Sequence, residues 1–337
     1  VTGDPPLVTI GVPVRNGEDF LAEALDSALA QEYPNLEILI SDNASVDSTP
    51  DICRRYAAAD PRVRWWRNDE NIGFGYNFAL TAERARGELF TWLAHDDLLA
   101  PAYVRTVGDY MASHPDVLLC TTSLHLLGLE GPGALTPLRL LDFYDGVDWR
   151  ETRRHLFRVG HPHTSYLVYG LFRRSAMPDL RRLVWDLPSR DLVSGFSELW
   201  ILSWIAVRGR IVTLPDILRT CRTHDASASA RYATALPRDA SRRRLRSAAR
   251  TFRQALDSPL PWTERAELAA AAAGNFLRAL RGSPGDPRRV IKELRHEIAL
   301  LRRVCDERLA LIERLDAESR ARQRRIDELQ EKSSAAR

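Results

Sequence analysis

The chain has 337 residues and a formal net charge of +3, with 45% hydrophobic, 28% charged and 8% aromatic residues. That is enough chain for one large domain or two small ones, and the composition excludes wholesale disorder. No apolar run approaches the roughly 18 residues of a membrane span; the longest, Leu199–Val207, is far too short and contains Ser203.

Val8–Pro13 reads as a first buried strand, and Phe20, Leu21, Ala24, Leu25, Ala28 and Leu29 fall at helical spacing after it. Leu36–Ile40 is a second strand. Ser48 or Thr49 then caps a helix with Pro50 in its first turn, where a missing N–H is harmless. A third strand is expected over Val63–Trp66, a helix over Asn77–Arg86, a fourth strand over Leu89–Ala94, a helix opened by Pro101, and a fifth strand over Val117–Thr122. This alternation predicts an α/β fold with a mostly parallel sheet covered by helices on both faces. Ligands of such sheets bind beyond the carboxyl ends of the strands, so the loops there are the place to search.

Beyond Gly131 the rhythm loosens. Tyr166–Phe172 and Ile211–Leu214 read as strands, with a buried helix near Leu199–Val207 between them. Past Ser229 the chain is expected to be helical, with Arg242, Arg243, Arg246, Arg250 and Arg253 on one face of a segment ending near Leu256. Ile291, Leu294, Ile298, Leu301, Cys305, Ile312, Leu315, Ile326 and Leu329 follow a three- and four-residue seam interrupted at Arg308, Ser319 and Arg322, which predicts an imperfect coiled coil or a helix packed on its own domain. The expected organisation is therefore a domain over 1–229, a helical subdomain over 230–285, and a C-terminal helix over 286–332 able to support a homodimer.

Four scattered cysteines without a CxxC pair argue against a zinc site and for reduced thiols. Val1–Pro6 has no basic-then-apolar pattern, so no secretory leader is expected and the chain reads as cytoplasmic. The small net charge, with acids and arginines interspersed, makes nucleic acid a poor partner. The arginine face could touch an anionic membrane surface or a lipid-linked acceptor, although a solvated face is the better reading.

Three loops carry chemistry. Asp96 and Asp97 follow the fourth strand, and adjacent carboxylates repel unless a cation lies beside them; a hard divalent ion there could bridge to diphosphate oxygens. The same pair also suits a solvated loop or a helix cap. After the second strand, Asp42 could accept the imide N–H of a uracil ring, with Asn43 and Ser45 shaping the turn, as they would in any turn. After the third, Asn71-Ile72-Gly73-Phe74-Gly75 would let the backbone approach a ligand closely. His161 and His163 lie in a loop that could meet an acceptor.

These segments in order, VTIGVPVRNG (Val8–Gly17), EILISDNASVDST (Glu37–Thr49), NIGFGYNFAL (Asn71–Leu80), RGELFTWLAHDDLL (Arg86–Leu99), YGLFRR (Tyr169–Arg174) and the R-x-H of Arg222–His224, resemble the inverting nucleotide-sugar glycosyltransferases of family 2. The resemblance implies a GT-A fold, a nucleotide-sugar donor (a UDP-sugar favoured), a hydroxyl acceptor and a divalent metal, Mn2+ or Mg2+. It implies that Pro13 and Val14 line the base pocket, that Asp42 reads the base, and that Asn71, Gly73 and Arg67 lie near the diphosphate. Asp96 would approach the ribose or sugar, Asp97 would hold the metal, and His224 would return toward the metal or diphosphate. The acidic base falls on Glu198, with Asp191 the competitor, since Ser197 stands where a first acid is usual.

Overall fold

The computed structural model describes residues 4–140, 149–158, 164–180 and 195–224, with 254–255, 257–261, 264–269, 271–272 and 314. The chain divides into two units, Val1–Gly282 and Ser283–Arg337, and all the elements below lie in the first. The expected seam over 286–332, the arginine face, Asp191, His161 and His163 fall outside the described residues.

Strands β1 (Val8–Val14), β2 (Leu36–Asp42), β3 (Val63–Arg67) and β4 (Leu89–Trp92) form a parallel set in the order β3-β2-β1-β4. Every residue of β1, β2 and β4 is buried, which explains why they read as continuous apolar runs rather than as alternating ones. Helices α1 (Leu21–Leu29), α2 (Thr49–Ala59), α3 (Phe74–Arg84) and α4 (Tyr103–Ser113) connect or follow these strands. Leu21, Ala24, Leu25 and Ala28 of α1 and Tyr103, Val104, Val107 and Met111 of α4 belong to one core with Ile10, Val12, Ile38 and Ile40.

The sheet continues through β8 (Leu171–Arg173), β6 (Val117–Leu127), β9 (Arg210–Arg222) and the short β5 (Leu98–Leu99), while β7 (Leu135–Leu138) hairpins onto β6. Because β8 is antiparallel to both β4 and β6, and β9 is parallel to β6, β9 runs in the same direction as β4. Residues that follow β9 therefore land on the same edge as those that follow β4. The ribbon is far longer than Val117–Thr122 and Ile211–Leu214 suggest. A register shift sets Thr122 against Leu214 but Ser123 against Ile217, so Pro215 and Asp216 bulge out of the ladder where a missing N–H does no harm.

Two other expectations change. Tyr166–Phe172 is not one strand: Thr164–Tyr169 is a 3-10 helix, and only Leu171–Arg173 pairs. Gly170 lies at the break and lets the chain pass close to β6, since a Cβ there would sit 2.8 Å from the Cys120 carbonyl oxygen. Helix α3 begins at Phe74, three residues before the expected Asn77, because Gly73 takes φ +87° and turns the chain into the helix. After α5 (Trp149–Arg158), the buried helix α6 (Gly195–Ala206) carries Glu198 in its first turn. Part of the 254–272 region packs on these helices: Ser203 donates to Gln254 at 2.6 Å, and Arg153 and Arg154 pair with Glu264 and Glu267 at 2.9 and 2.8 Å. The expected boundary at 229 thus falls within the first unit. Among the described residues no helix is long and apolar enough to cross a membrane.

Candidate active site

The carboxyl ends of β1, β2 and β3 bring the first group of predicted residues together. Parallel register sets Pro13 against Ser41, Val14 against Asp42, and Asp42 against Arg67. Asp42 is fully buried. Its Oδ1 accepts the Ser45 N–H at 2.9 Å, while its buried Oδ2 accepts no hydrogen bond and lies 3.6 Å from Arg67 Nε. Arg67 also donates to the Ser45 carbonyl at 2.7 Å, so it stands beside Asp42 at the end of β2. A buried carboxylate oxygen that accepts no hydrogen bond is uncommon, and here the Arg67 guanidinium offsets its charge.

Asn71 and Gly73 sit in the loop beside this carboxylate. Asn43 organises that loop: its amide donates to Asn71 Oδ1 at 2.8 Å, and its Oδ1 accepts the Ile72 N–H at 3.0 Å. Asn71 Oδ1 in turn accepts the Gly73 N–H at 3.0 Å. Asn77 is a buried tie, donating to the Ser41 carbonyl at 2.9 Å and accepting from Ser41 Oγ at 2.6 Å and from Asn68 at 3.2 Å. The expected side-chain cap on α2 is absent; instead Thr49 Oγ1 accepts the Gly17 N–H at 2.8 Å and holds the loop after β1. A Cβ on Gly17 would come within 2.6 Å of the His95 ring, so the loops after β1 and β4 touch there.

The second group gathers where β4 and β9 end. Asp96 and His224 meet, with His224 Nε2 2.9 Å from Asp96 Oδ2, although 128 residues separate them. Asp97 points the other way. It is 7% exposed, its Oδ1 accepts the Arg222 N–H at 2.9 Å, and its Oδ2 accepts the Cys221 thiol at 3.0 Å. Burial first, and the neighbouring Asp96 charge second, raise the Asp97 pKa above the usual carboxylate range, against the donations from Cys221 and Arg222. Burial, followed by the nearby Asp97 charge, likewise holds the Cys221 thiol protonated. The sequence puts the cation on Asp97; in the structure its oxygens are occupied by protein donors, and Asp96 is the carboxylate that faces a second ligating group.

Residues 9–158 match the sequence profile described as glycosyl transferase family 2. Through this segment, which is less than half of the chain, the protein is similar to glycosyl transferase family 2. An uncharacterized glycosyltransferase of Rickettsia typhi is 40% identical over 96 residues, 28% of this chain and 29% of that protein. Glycosyltransferase GlyA of Streptococcus pneumoniae is 31% identical over 100 residues, 30% of this chain and 14% of its own length. The matched stretch thus spans less than a third of these curated relatives. Residues 1–349 of S. aureus TarS in complex with UDP-GlcNAc superpose with a TM-score of 0.58 at 15% identity, covering 88% of each chain, which establishes the GT-A fold.

Asp96 and His224 present one hard oxygen and one imidazole nitrogen. Among the described residues no cluster of three or more His, Cys, Asp or Glu could hold a metal by itself. Two protein ligands with open positions suit a Mg2+- or Mn2+-class ion whose remaining places go to phosphate oxygens and water, so the residues present fit the metal that the family resemblance implies. The Glu198 side chain lies outside the described residues; its backbone sits in the first turn of α6. Sequence reasoning missed Phe20, Glu23 and Cys221. Phe20 and Glu23 fit an ordinary amphipathic helix, and nothing local links them to Arg222 some 200 residues later.

Proposed function

We propose that this chain is a metal-dependent, inverting glycosyltransferase that moves a sugar from a nucleoside-diphosphate donor, a UDP-sugar in preference, to an acceptor hydroxyl. The meeting of Asp96 and His224 supports this reading, because it brings together two groups that could ligate a cation, beyond the carboxyl ends of the strands. Asp42 Oδ2, which accepts no hydrogen bond within the protein, would suit a base with an imide N–H, which uracil has. Pro13 and Val14 would pack against that base, and the Asn71–Gly73 loop would lie along the diphosphate.

A divalent ion on Asp96 and His224 would neutralise charge on the departing nucleoside diphosphate. The acceptor oxygen forms a bond to the anomeric carbon from the face opposite the diphosphate as the carbon–oxygen bond to phosphate breaks, which inverts that centre. The acceptor proton passes to a carboxylate, for which we favour Glu198 over Asp191. The start of α6 favours the ionised form of such a group, and positioned base assistance is typically worth about 10²–10⁴-fold.

A panel of UDP-, dTDP- and GDP-sugars tested for hydrolysis with MnCl2 or MgCl2 checks the proposal. A UDP-sugar should be cleaved only with metal, and Asp96→Asn should abolish the cleavage while the protein stays folded. Metal-independent cleavage, or none with any donor and no UDP binding, would contradict it. A homodimer through 286–332 and contact of the Arg242–Arg253 face with anionic lipid are also proposed, testable by sedimentation of the full chain alone and with anionic vesicles.

A further inference from the structure

Arg222 stands at the centre of the contacts that hold the acidic turn. Its backbone N–H binds Asp97 Oδ1 at 2.9 Å, and its Nε donates to the Asp96 carbonyl at 3.1 Å. Its Nη2 reaches Glu23 on α1, 2.7 Å from Oε2. Its guanidinium lies over the Phe20 ring, 4.4 Å from the centroid, and the same ring packs 5.1 Å from that of His224. Phe20 precedes α1 and Glu23 lies in its first turn, so one helix start grips both the arginine and the histidine.

The two links to Asp96 and Asp97 are local to the ends of β4 and β9. The Glu23 contact and the Phe20 platform differ, since they anchor the turn to α1, whose Leu21, Ala24 and Leu25 are fixed in the core. The planar guanidinium suits this role. Nε and Nη2 donate along one edge while the ring supports its face, which fixes orientation as a lysine could not. The Glu23 side chain is 60% exposed, and an exposed ion pair contributes little to folding.

We propose that Glu23 is a positioning residue for the cation site: through Arg222 it fixes the Asp96 backbone, and with Phe20 it keeps the His224 ring at ligating distance from Asp96. The proposal rests on the reading of Asp96 and His224 as the cation ligands. A positioning error of about 1 Å costs on the order of 10²-fold where geometry is demanding. Losing one of several restraints should cost less, on the order of 10-fold.

The test is the MnCl2 concentration that gives half-maximal UDP binding, measured by calorimetry with the full chain, alongside UDP binding in EDTA. Glu23→Ala should raise the Mn2+ requirement about 10-fold, with UDP binding in EDTA and the melting temperature unchanged. Glu23→Gln keeps an acceptor for Arg222 Nη2 and should restore most of the wild-type value. Glu32→Ala breaks a comparable exposed pair with Arg105, 2.6 Å apart and away from the site, and should change nothing. A wild-type Mn2+ requirement in Glu23→Ala would overturn the positioning role while leaving the cation site intact. UDP binding indifferent to Mn2+ in the wild-type protein would overturn both.

Discussion

Removing the Asp97 side chain should damage the fold more than the cation site, although Asp97 stands next to the residue that faces His224. Asp97→Ala deletes the acceptors of the Arg222 N–H and the Cys221 thiol in a place that is 7% exposed. Leaving the backbone N–H unpaired costs about 1–3 kcal/mol, and the thiol, a weak donor, adds little. Relief of the buried charge and of its repulsion with Asp96 offsets part of this. A net loss of ~1–2 kcal/mol corresponds to a fall in Tm of about 2–8 °C for a domain of this size. Asp96→Ala removes a bond to His224, but its backbone carbonyl still accepts from Arg222 and the charge on Asp97 is relieved, so its Tm should change less. The two variants should separate again when UDP and MnCl2 are added. Asp97→Ala should keep most of the ligand-induced rise in Tm, whereas Asp96→Ala should lose it. Thermal denaturation followed by circular dichroism reads both effects. A stable Asp97→Ala protein without the Mn2+ response, beside an Asp96→Ala protein that retains it, would refute this division of labour.

At the opposite end of the strands, burial alone would raise the Glu37 pKa, but donors from Thr9, the Arg86 N–H and Arg64 outweigh it and hold the pKa low. Glu37 should therefore add stability above its unfolded pKa of about 4.3, lost as pH falls through the lower folded value. Urea midpoints between pH 3 and 7 should fall more steeply with acid in the wild type than in Glu37→Gln; parallel curves would contradict this. Asn77→Ala strips partners from Ser41 and Asn68 in a buried position and should cost about 1–3 kcal/mol in chemical denaturation. An unchanged midpoint would show that those groups find other partners. Gly17→Ala would press on the His95 ring and should weaken Mn2+-dependent UDP binding; wild-type binding would show that the ring yields freely.

Much of this architecture is written in local pattern. The buried runs of β1, β2 and β4 are mostly apolar, and Leu21, Ala24, Leu25 and Ala28 mark the α1 face, so the parallel half is legible from local pattern. The misreadings share a cause. Gly73 and Gly170 end or start elements through backbone conformation and close approach, which apolar spacing does not report. The length of β9 was hidden because its second half mixes half-buried and polar residues around the Pro215 bulge. Asp42 and the Asn71–Gly73 loop could be found from strand ends alone. Which of Asp96 and Asp97 meets His224 could not, because Cys221, Arg222 and His224 contact them from more than 120 residues away.

The most direct test is a crystal structure of the protein with UDP and MnCl2, with data collected at the manganese absorption edge. An anomalous peak within coordination distance of an Asp96 carboxylate oxygen and of His224 Nε2, with the uracil imide against Asp42 Oδ2, is the predicted result. Manganese bound through Asp97, or a nucleotide bound away from the ends of β1 to β4, would contradict it.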